Sequence, residues 1–111
     1  SVCNQIYDGI EELMERQKIG WGEQKGNLDL AVKALESAWV SDSRWPPVPT
    51  SPGRFNVRES IEDLYQANNA IRKYMEENGL EDKKSLYSPD IMESQIRFAE
   101  KKLMELKYFE E

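Results

Sequence analysis

The chain has 111 residues, enough for one domain with a small core, and its 15 basic and 21 acidic residues give a net charge of −6. Both halves are net acidic, which disfavours strong binding to duplex nucleic acid through its phosphates and binding to anionic membranes. Histidine is absent, which excludes Ser/His and Cys/His nucleophile pairs and zinc sites of the Cys/His type.

The cysteine content points to a reducing environment. Cys3 is the only cysteine, so the chain cannot form an internal disulfide, and we expect an intracellular location such as cytoplasm or nucleus. No apolar run approaches the length of a membrane span, and no signal peptide is recognisable. Because the sequence does not begin with Met, we expect a processed chain or an excised piece of a longer one.

Two helices are predicted before residue 43. Apolar residues at helical spacing over 2–18 predict the first helix, and the glycines of Gly20-Trp21-Gly22 should stop it. Asn27 is a plausible N-cap for the second helix, which should end around residues 40–42. Its apolar side is rich in small residues, which indicates close packing against a neighbour.

Two longer helices are predicted after residue 55. Asn56 and Glu59 form a capping box at the start of the third helix, and Asn78-Gly79 should end it with the glycine in a left-handed conformation. Ser88-Pro89-Asp90 predicts the start of the fourth helix, with Ser88 as N-cap and Pro89 in the first turn.

The expected fold is therefore all-α: a single domain over residues 1–111, built as a compact bundle of four helices. The helices should have roughly 17, 13, 22 and 21 residues, with helices 3 and 4 side by side and the first two covering them. A long proline-rich connection joins helices 2 and 3. The residues at the centres of the apolar stripes are predicted to form the core: Leu35, Leu64, Ile71, Ile96 and Leu103.

The segment 44–55 holds four of the five prolines and cannot be helix interior. It contains the pattern P-x-x-P-x-R, which is typical of extended ligands of SH3-type domains. One interpretation is an ordered recognition element; the other is a rigid tether pinned to the core by Trp45, Val48 and Phe55. The partner-binding residues of the first interpretation are Trp45, Pro46, Pro47, Pro49, Pro52 and Arg54.

Aromatic residues give two further candidates for partner binding. Trp21 either caps the core, anchors an interface, or clusters with the other two tryptophans, Trp39 and Trp45. The fourth helix has more apolar residues than one core stripe needs, and the excess, with Phe98 and Phe109, could form a dimer seam or a partner groove.

Acidic residues recur at helical spacing in helices 1 and 3, at 11, 12 and 15 and at 59, 62 and 63. A di-iron bundle would require Glu-x-x-His motifs, which this chain lacks. We interpret these runs as solvated helix faces, and we expect neither a metal nor a cofactor.

Part of the chain resembles a known family. A segment of phage replicative-helicase loader proteins is similar to the order of Trp21, a helix carrying Ala31, Ala34 and Leu35, then Arg44-Trp45-Pro46-Pro47 and Ser51-Pro52-Gly53-Arg54-Phe55. The similarity covers residues 21–55, about a third of the chain, and Arg54 stands where the family usually has Gln. The resemblance implies a non-catalytic helical module that docks on a replication ATPase.

The sequence thus favours a non-catalytic helical module that binds another protein or a second copy of itself. One alternative is a phage-type replication accessory factor that docks on a helicase ATPase. Another is a small enzyme that works without histidine, through carboxylates or tyrosine. A polar cavity lined by Glu or Tyr would favour the enzyme, whereas an exposed apolar patch would favour the binding module.

Overall fold

The computed structural model describes residues 2–42, 57–81 and 86–105, and it places four helices in this part of the chain. They are α1 (Val2–Gln17), α2 (Gly26–Asp42), α3 (Val57–Asn78) and α4 (Pro89–Glu105). None of the described residues forms a strand. The all-α prediction is confirmed, and the four clustered prolines fall between α2 and α3, as expected.

One apolar core joins the four helices, because each helix contributes one stripe of apolar side chains. The stripes predicted from the sequence supply most of it. Among the largest fully buried side chains are Ile6, Ile10, Leu13, Leu28, Ile71 and Ile96. None of the four helices is long and apolar enough, over its described residues, to cross a lipid bilayer.

The most extensive helix contact is between α2 and α3, whereas the sequence suggested α3 and α4. Small side chains explain it, since buried alanines on both helices let the backbones approach closely. They are Ala31, Ala38, Ala67 and Ala70. The two helices are antiparallel, because Asn27 Nδ2 donates to Glu77 Oε1 at 2.6 Å and Ser37 Oγ donates to Asp63 Oδ2 at 2.6 Å.

Helix α4 lies antiparallel to α3. Near its start, Asp90 forms an ion pair with Arg72, and further along Glu100 accepts a hydrogen bond of 3.1 Å from Tyr65 Oη. Glu100 thus meets an earlier turn of α3 than Asp90 does. These links fix the register of the two helices, although each exposed pair contributes little stability by itself.

Helix α1 ends at Gln17, three residues before the predicted glycine stop. Lys18 has a φ of 57°, and the amide of Ile19 donates to the carbonyl of Met14 at 2.9 Å. The amide of Lys18 donates to the carbonyl of Glu15 at 3.2 Å, which completes a Schellman motif. A lysine occupies the left-handed position that glycine usually fills, so the sequence carried no visible stop signal there.

The end of α3 follows the prediction. Gly79 has a φ of 63°, and the amide of Leu80 donates to the carbonyl of Met75 at 2.9 Å. Leu80 is buried and supplies the apolar contact that accompanies this cap.

The start of α4 is also confirmed. Ser88 Oγ accepts a hydrogen bond of 3.3 Å from the amide of Ile91, as expected of an N-cap serine, and Pro89 is the first helical residue.

Two details of α2 differ from the prediction. It begins at Gly26, so Asn27 lies inside the first turn and its side chain bonds to α3. It also spans 17 residues and not roughly 13. The predicted capping box of α3 lies at the edge of the described residues, and Asn56 is outside them.

Four of the five predicted core residues are buried: Leu35, Leu64, Ile71 and Ile96. Leu103 is only partly buried and packs against the rim of the core. It lies in the last described turn of α4. Trp39, which continues the α2 stripe in the sequence, is 38% exposed.

Candidate protein-binding surface

The connection from α3 to α4 is tied to α1 by the ring of Tyr87. This side chain is buried and lies directly over Gly9 of α1. A β-carbon at Gly9 would come within 2.7 Å of Tyr87 Cγ, which is closer than real contacts allow. The glycine therefore makes the notch into which the aromatic ring fits, and the ring sets the separation of α1 and α4.

Asn68 holds the same connection from the α3 side. Its side chain is fully buried; Oδ1 accepts a hydrogen bond of 2.7 Å from Tyr87 Oη, and Nδ2 donates to the Pro89 carbonyl at 2.9 Å. A buried amide is tolerated when its polar atoms are bonded in this way. Desolvation by burial raises the pKa of the Tyr87 phenol, so the hydroxyl stays protonated and remains a donor.

Because Tyr87 is held inward, the side chain of its neighbour Leu86 faces solvent. Its amide donates a hydrogen bond of 2.8 Å to Glu12 Oε1 of α1, while Tyr87 beside it points inward. The Leu86 side chain is 92% exposed. The backbone of this residue is therefore fixed on both sides, and its apolar side chain faces outward.

Helix α4 continues this exposed apolar surface. Ile91 and Phe98 are 62% and 64% exposed, and their spacing of seven residues places them on one side of the helix, two turns apart. Lys102 lies one turn further on, with Nζ 5.6 Å from the centroid of the Phe98 ring. The expected excess of apolar residues on α4 is thus found at positions 91 and 98.

Helix α1 borders the same surface with acidic side chains. A shallow groove between the two helices is lined by Asp8 and Glu12 from α1 and by Leu86 and Ile91 from the other side. We call the α1/α4 face the surface made of Asp8, Glu12, Leu86, Ile91, Phe98 and Lys102. Leu30 and Met104 are exposed as well, but Leu30 is on α2, and Met104 is turned about 120° from Phe98 around α4.

A second aromatic surface lies on the α2 side of α1. The ring of Trp21 stacks on Tyr7 with centroids 5.3 Å apart and planes 9° apart, and Trp39 meets Tyr7 edge-on at 5.9 Å. Trp21 is 49% exposed, so it does not cap the core completely, and its role as an interface anchor stays a prediction. Two of the three tryptophans therefore cluster through a shared tyrosine.

A polar cavity bears on the enzyme alternative. It opens near the start of α4 and is lined in part by Glu76, Glu81 and Tyr87. The Tyr87 hydroxyl is bonded to Asn68, and its pKa is raised, so it is poorly placed to transfer a proton near neutral pH. Across the described residues, no three Cys, Asp or Glu side chains are grouped so that they could hold a metal ion.

Seven of the nine partner-binding residues predicted from the sequence lie outside the described residues: Trp45, Pro46, Pro47, Pro49, Pro52, Arg54 and Phe109. The other two, Trp21 and Phe98, are both exposed, but on different surfaces. The structure adds Leu86 and Ile91 beside Phe98. The only sequence signal for Leu86 is its place in a Leu-Tyr pair directly before the N-cap Ser88. In the structure Tyr87 is the buried member of this pair and Leu86 the exposed one.

No protein-family model, curated protein or solved structure matches this chain. The similarity of residues 21–55 to helicase loaders therefore depends on those residues alone.

Proposed function

We propose that the protein is a non-catalytic helical module that binds another protein chain through the α1/α4 face. The observation that carries the proposal is the exposure of Ile91 and Phe98, two large apolar side chains on one side of α4. Aligned apolar side chains two turns apart are the pattern by which helices anchor partner helices. Single exposed apolar residues are ordinary, whereas here Leu86 extends the row of Ile91 and Phe98 beyond the start of α4.

The surroundings of these residues support a binding role. Charged side chains border the apolar row at both ends, Asp8 and Glu12 near Leu86 and Lys102 beside Phe98. An apolar centre with a charged rim is the usual composition of a protein interface. Tyr87 and Asn68 fix the backbone beneath, so little conformational entropy is lost on binding.

Site-specific photocrosslinking tests the proposal. A benzophenone amino acid replaces Phe98 in one variant and Gln66, an exposed residue of α3, in a matched control. After irradiation in the cells that make the protein, we expect one discrete adduct from position 98. An excess of the unlabelled protein should compete for the adduct, while an excess of the Phe98→Ser variant should not.

The same experiment can contradict the proposal. Adducts of equal yield at positions 98 and 66, or competition by the Phe98→Ser variant, would show that the face has no specific partner. Because both positions are exposed, the substitutions should leave the melting temperature unchanged, and circular dichroism checks this.

A further inference from the structure

We infer that the partner of the α1/α4 face is a second copy of this chain, held antiparallel about a two-fold axis. This inference rests on the proposed function, because it names the occupant of the same surface. A two-fold axis pairs one patch with itself, so each contact between two different residues occurs twice. The α1/α4 face has the two properties that such pairing requires: a symmetric apolar centre and opposite charges at its two ends.

The apolar centre has the right symmetry. Ile91 and Phe98 are about 10 Å apart along α4, and the midpoint falls beside Gln95, an uncharged residue. A two-fold axis through this point, perpendicular to α4, brings Ile91 of one copy over Phe98 of the other, and Phe98 over Ile91. Four large apolar side chains are then removed from water together.

The charged residues of the face also fit a two-fold axis, because the basic and acidic residues lie on opposite sides of the midpoint. Lys102 lies about 11 Å from the midpoint on the Phe98 side. On the other side, the Glu12 carboxylate is bonded to the amide of Leu86, three residues before the start of α4, and Asp8 is one turn of α1 nearer the midpoint. Rotation by 180° therefore places each lysine beside the acidic end of the second copy.

The division of charge favours a second copy over an unrelated partner. A uniformly basic or acidic partner would meet repulsion at one end of the face, since the two ends carry opposite signs. A second antiparallel copy finds the opposite sign at both ends. The contact of two crossing helices is at the small end of specific interfaces, so we expect a reversible dimer with a dissociation constant of about 1–100 µM.

Sedimentation velocity tests this inference in the intact protein. The unmodified chain, studied from about 0.1 to about 500 µM, should show a share of dimer that increases with concentration over this range. Phe98→Ser should raise the dissociation constant at least about tenfold. Asp8→Lys and Lys102→Glu should each raise it about fivefold or more at low salt, because both create two repulsive contacts per dimer.

The charge-swapped double variant is the decisive sample. Asp8→Lys with Lys102→Glu in one chain keeps the net charge of −6 and re-forms the two attractive contacts between positions 8 and 102, so the double variant should dimerise more tightly than either single variant, although Glu12 is unchanged. Glu62→Lys and Lys73→Glu, which reverse exposed charges on α3, are the matched controls and should dimerise normally. All these positions are exposed, so thermal melting at a concentration well below the dissociation constant, where dimerisation adds no stability, should remain that of the unmodified chain.

Each other outcome overturns the inference in a distinguishable way. If the chain stays monomeric while the Phe98 crosslink joins it to a protein of different mass, the second copy is wrong and the proposed function stands. If it stays monomeric and no specific adduct forms, both fail. If Phe98→Ser leaves the dissociation constant unchanged, or if the double variant dimerises no more tightly than the two single variants, the copies pair in another way.

Discussion

The Tyr87 phenol donates a hydrogen bond of 2.7 Å to Oδ1 of Asn68, and both side chains are buried. Through Nδ2, the same amide donates to the carbonyl of Pro89, the first residue of α4. One side chain of α3 thus holds the connector and the beginning of the next helix. The position of the α1/α4 face depends on Tyr87 and Asn68. Leu86 precedes and Ile91 follows the two residues bonded to Asn68, which are Tyr87 and Pro89.

Tyr87→Phe should lower the free energy of unfolding by about 1–3 kcal/mol. The ring still fills the notch at Gly9, but Oδ1 of Asn68 loses its bonded hydroxyl in a site away from water. Urea unfolding measures the change. Tyr65→Phe is the matched control, because its hydroxyl bonds to Glu100 in a part-buried site, and it should cost less. Equal losses in the two variants would contradict the role assigned to Asn68.

Alkaline pH should destabilise the protein through Tyr87. Burial raises the pKa of this phenol above its ordinary value of 10.0, so the unfolded chain releases the proton at a lower pH than the folded chain. The free energy of unfolding should therefore decrease above about pH 10 as the unfolded phenol ionises. Tyr87→Phe removes this contribution, and its stability should fall less steeply between about pH 9 and about pH 11. If the stabilities of the unmodified chain and of Tyr87→Phe fall equally steeply in this range, the effect does not come from Tyr87.

Gly9→Ala should destabilise the protein by about 1–3 kcal/mol, although it replaces glycine within a helix. In an open helical site the same change would stabilise by about 1 kcal/mol. The sign is reversed here because the new methyl group meets the Tyr87 ring. Thermal unfolding of Gly9→Ala, Tyr87→Leu and the double variant measures the effect. Gly9→Ala should cost less in the Tyr87→Leu background than in the unmodified chain, and an equal cost would show that the clash lies elsewhere.

Lys18→Gly should stabilise the protein by about 0.5–1 kcal/mol. Lys18 has a φ of 57° at the end of α1, a conformation in which a β-carbon is strained and glycine is not. Lys18→Ala is the control, because it removes the charge and keeps the β-carbon, and it should give no gain. If alanine stabilises as much as glycine, the lysine charge and not the backbone is responsible.

Truncation to alanine should separate the deep core from its rim. Ile96→Ala should cost about 2–5 kcal/mol, because Ile96 is fully buried. Leu103→Ala should cost about 1–2 kcal/mol, since this side chain is only partly buried. Chemical unfolding of both variants measures the difference. A loss at Leu103 as large as at Ile96 would show that α4 is covered along its whole length.

The sequence was sufficient to predict the helices and most of the core. Apolar periodicity identified all four stripes, and the signals at Ser88 and Gly79 located two helix ends correctly. The predicted range 2–18 of the first helix ends within one residue of α1, but its stop was assigned to the following glycines, because local pattern rules expect glycine in the left-handed position that Lys18 occupies. The close pairing of α2 with α3 depends on buried alanines of both helices meeting in space, which no single stripe reveals.

The candidate site was predicted only in part. The surplus of apolar residues on α4 indicated an exposed row, and Phe98 belongs to it. The acidic border from α1 and the outward position of Leu86 depend on contacts across more than 70 residues, such as the bond between Glu12 and the amide of Leu86. The contact of Gly9 with Tyr87 could not be predicted either, because the two residues are far apart in the sequence. A glycine within a helix is normally taken as a destabilising residue and not as a site where a ring packs.

The contact of Tyr87 with Gly9 also restricts the routes along which this protein can evolve. A larger residue at position 9 requires a smaller one at 87, and a smaller residue at 87 leaves the buried amide of Asn68 without its hydroxyl partner. Each single step crosses a less stable intermediate, so the three positions should exchange together or stay as they are. A selection for folded variants from a library randomised at 9, 68 and 87 should return correlated triplets. In those that replace Tyr87, the position of Leu86, which directly precedes it in the chain, would change as well.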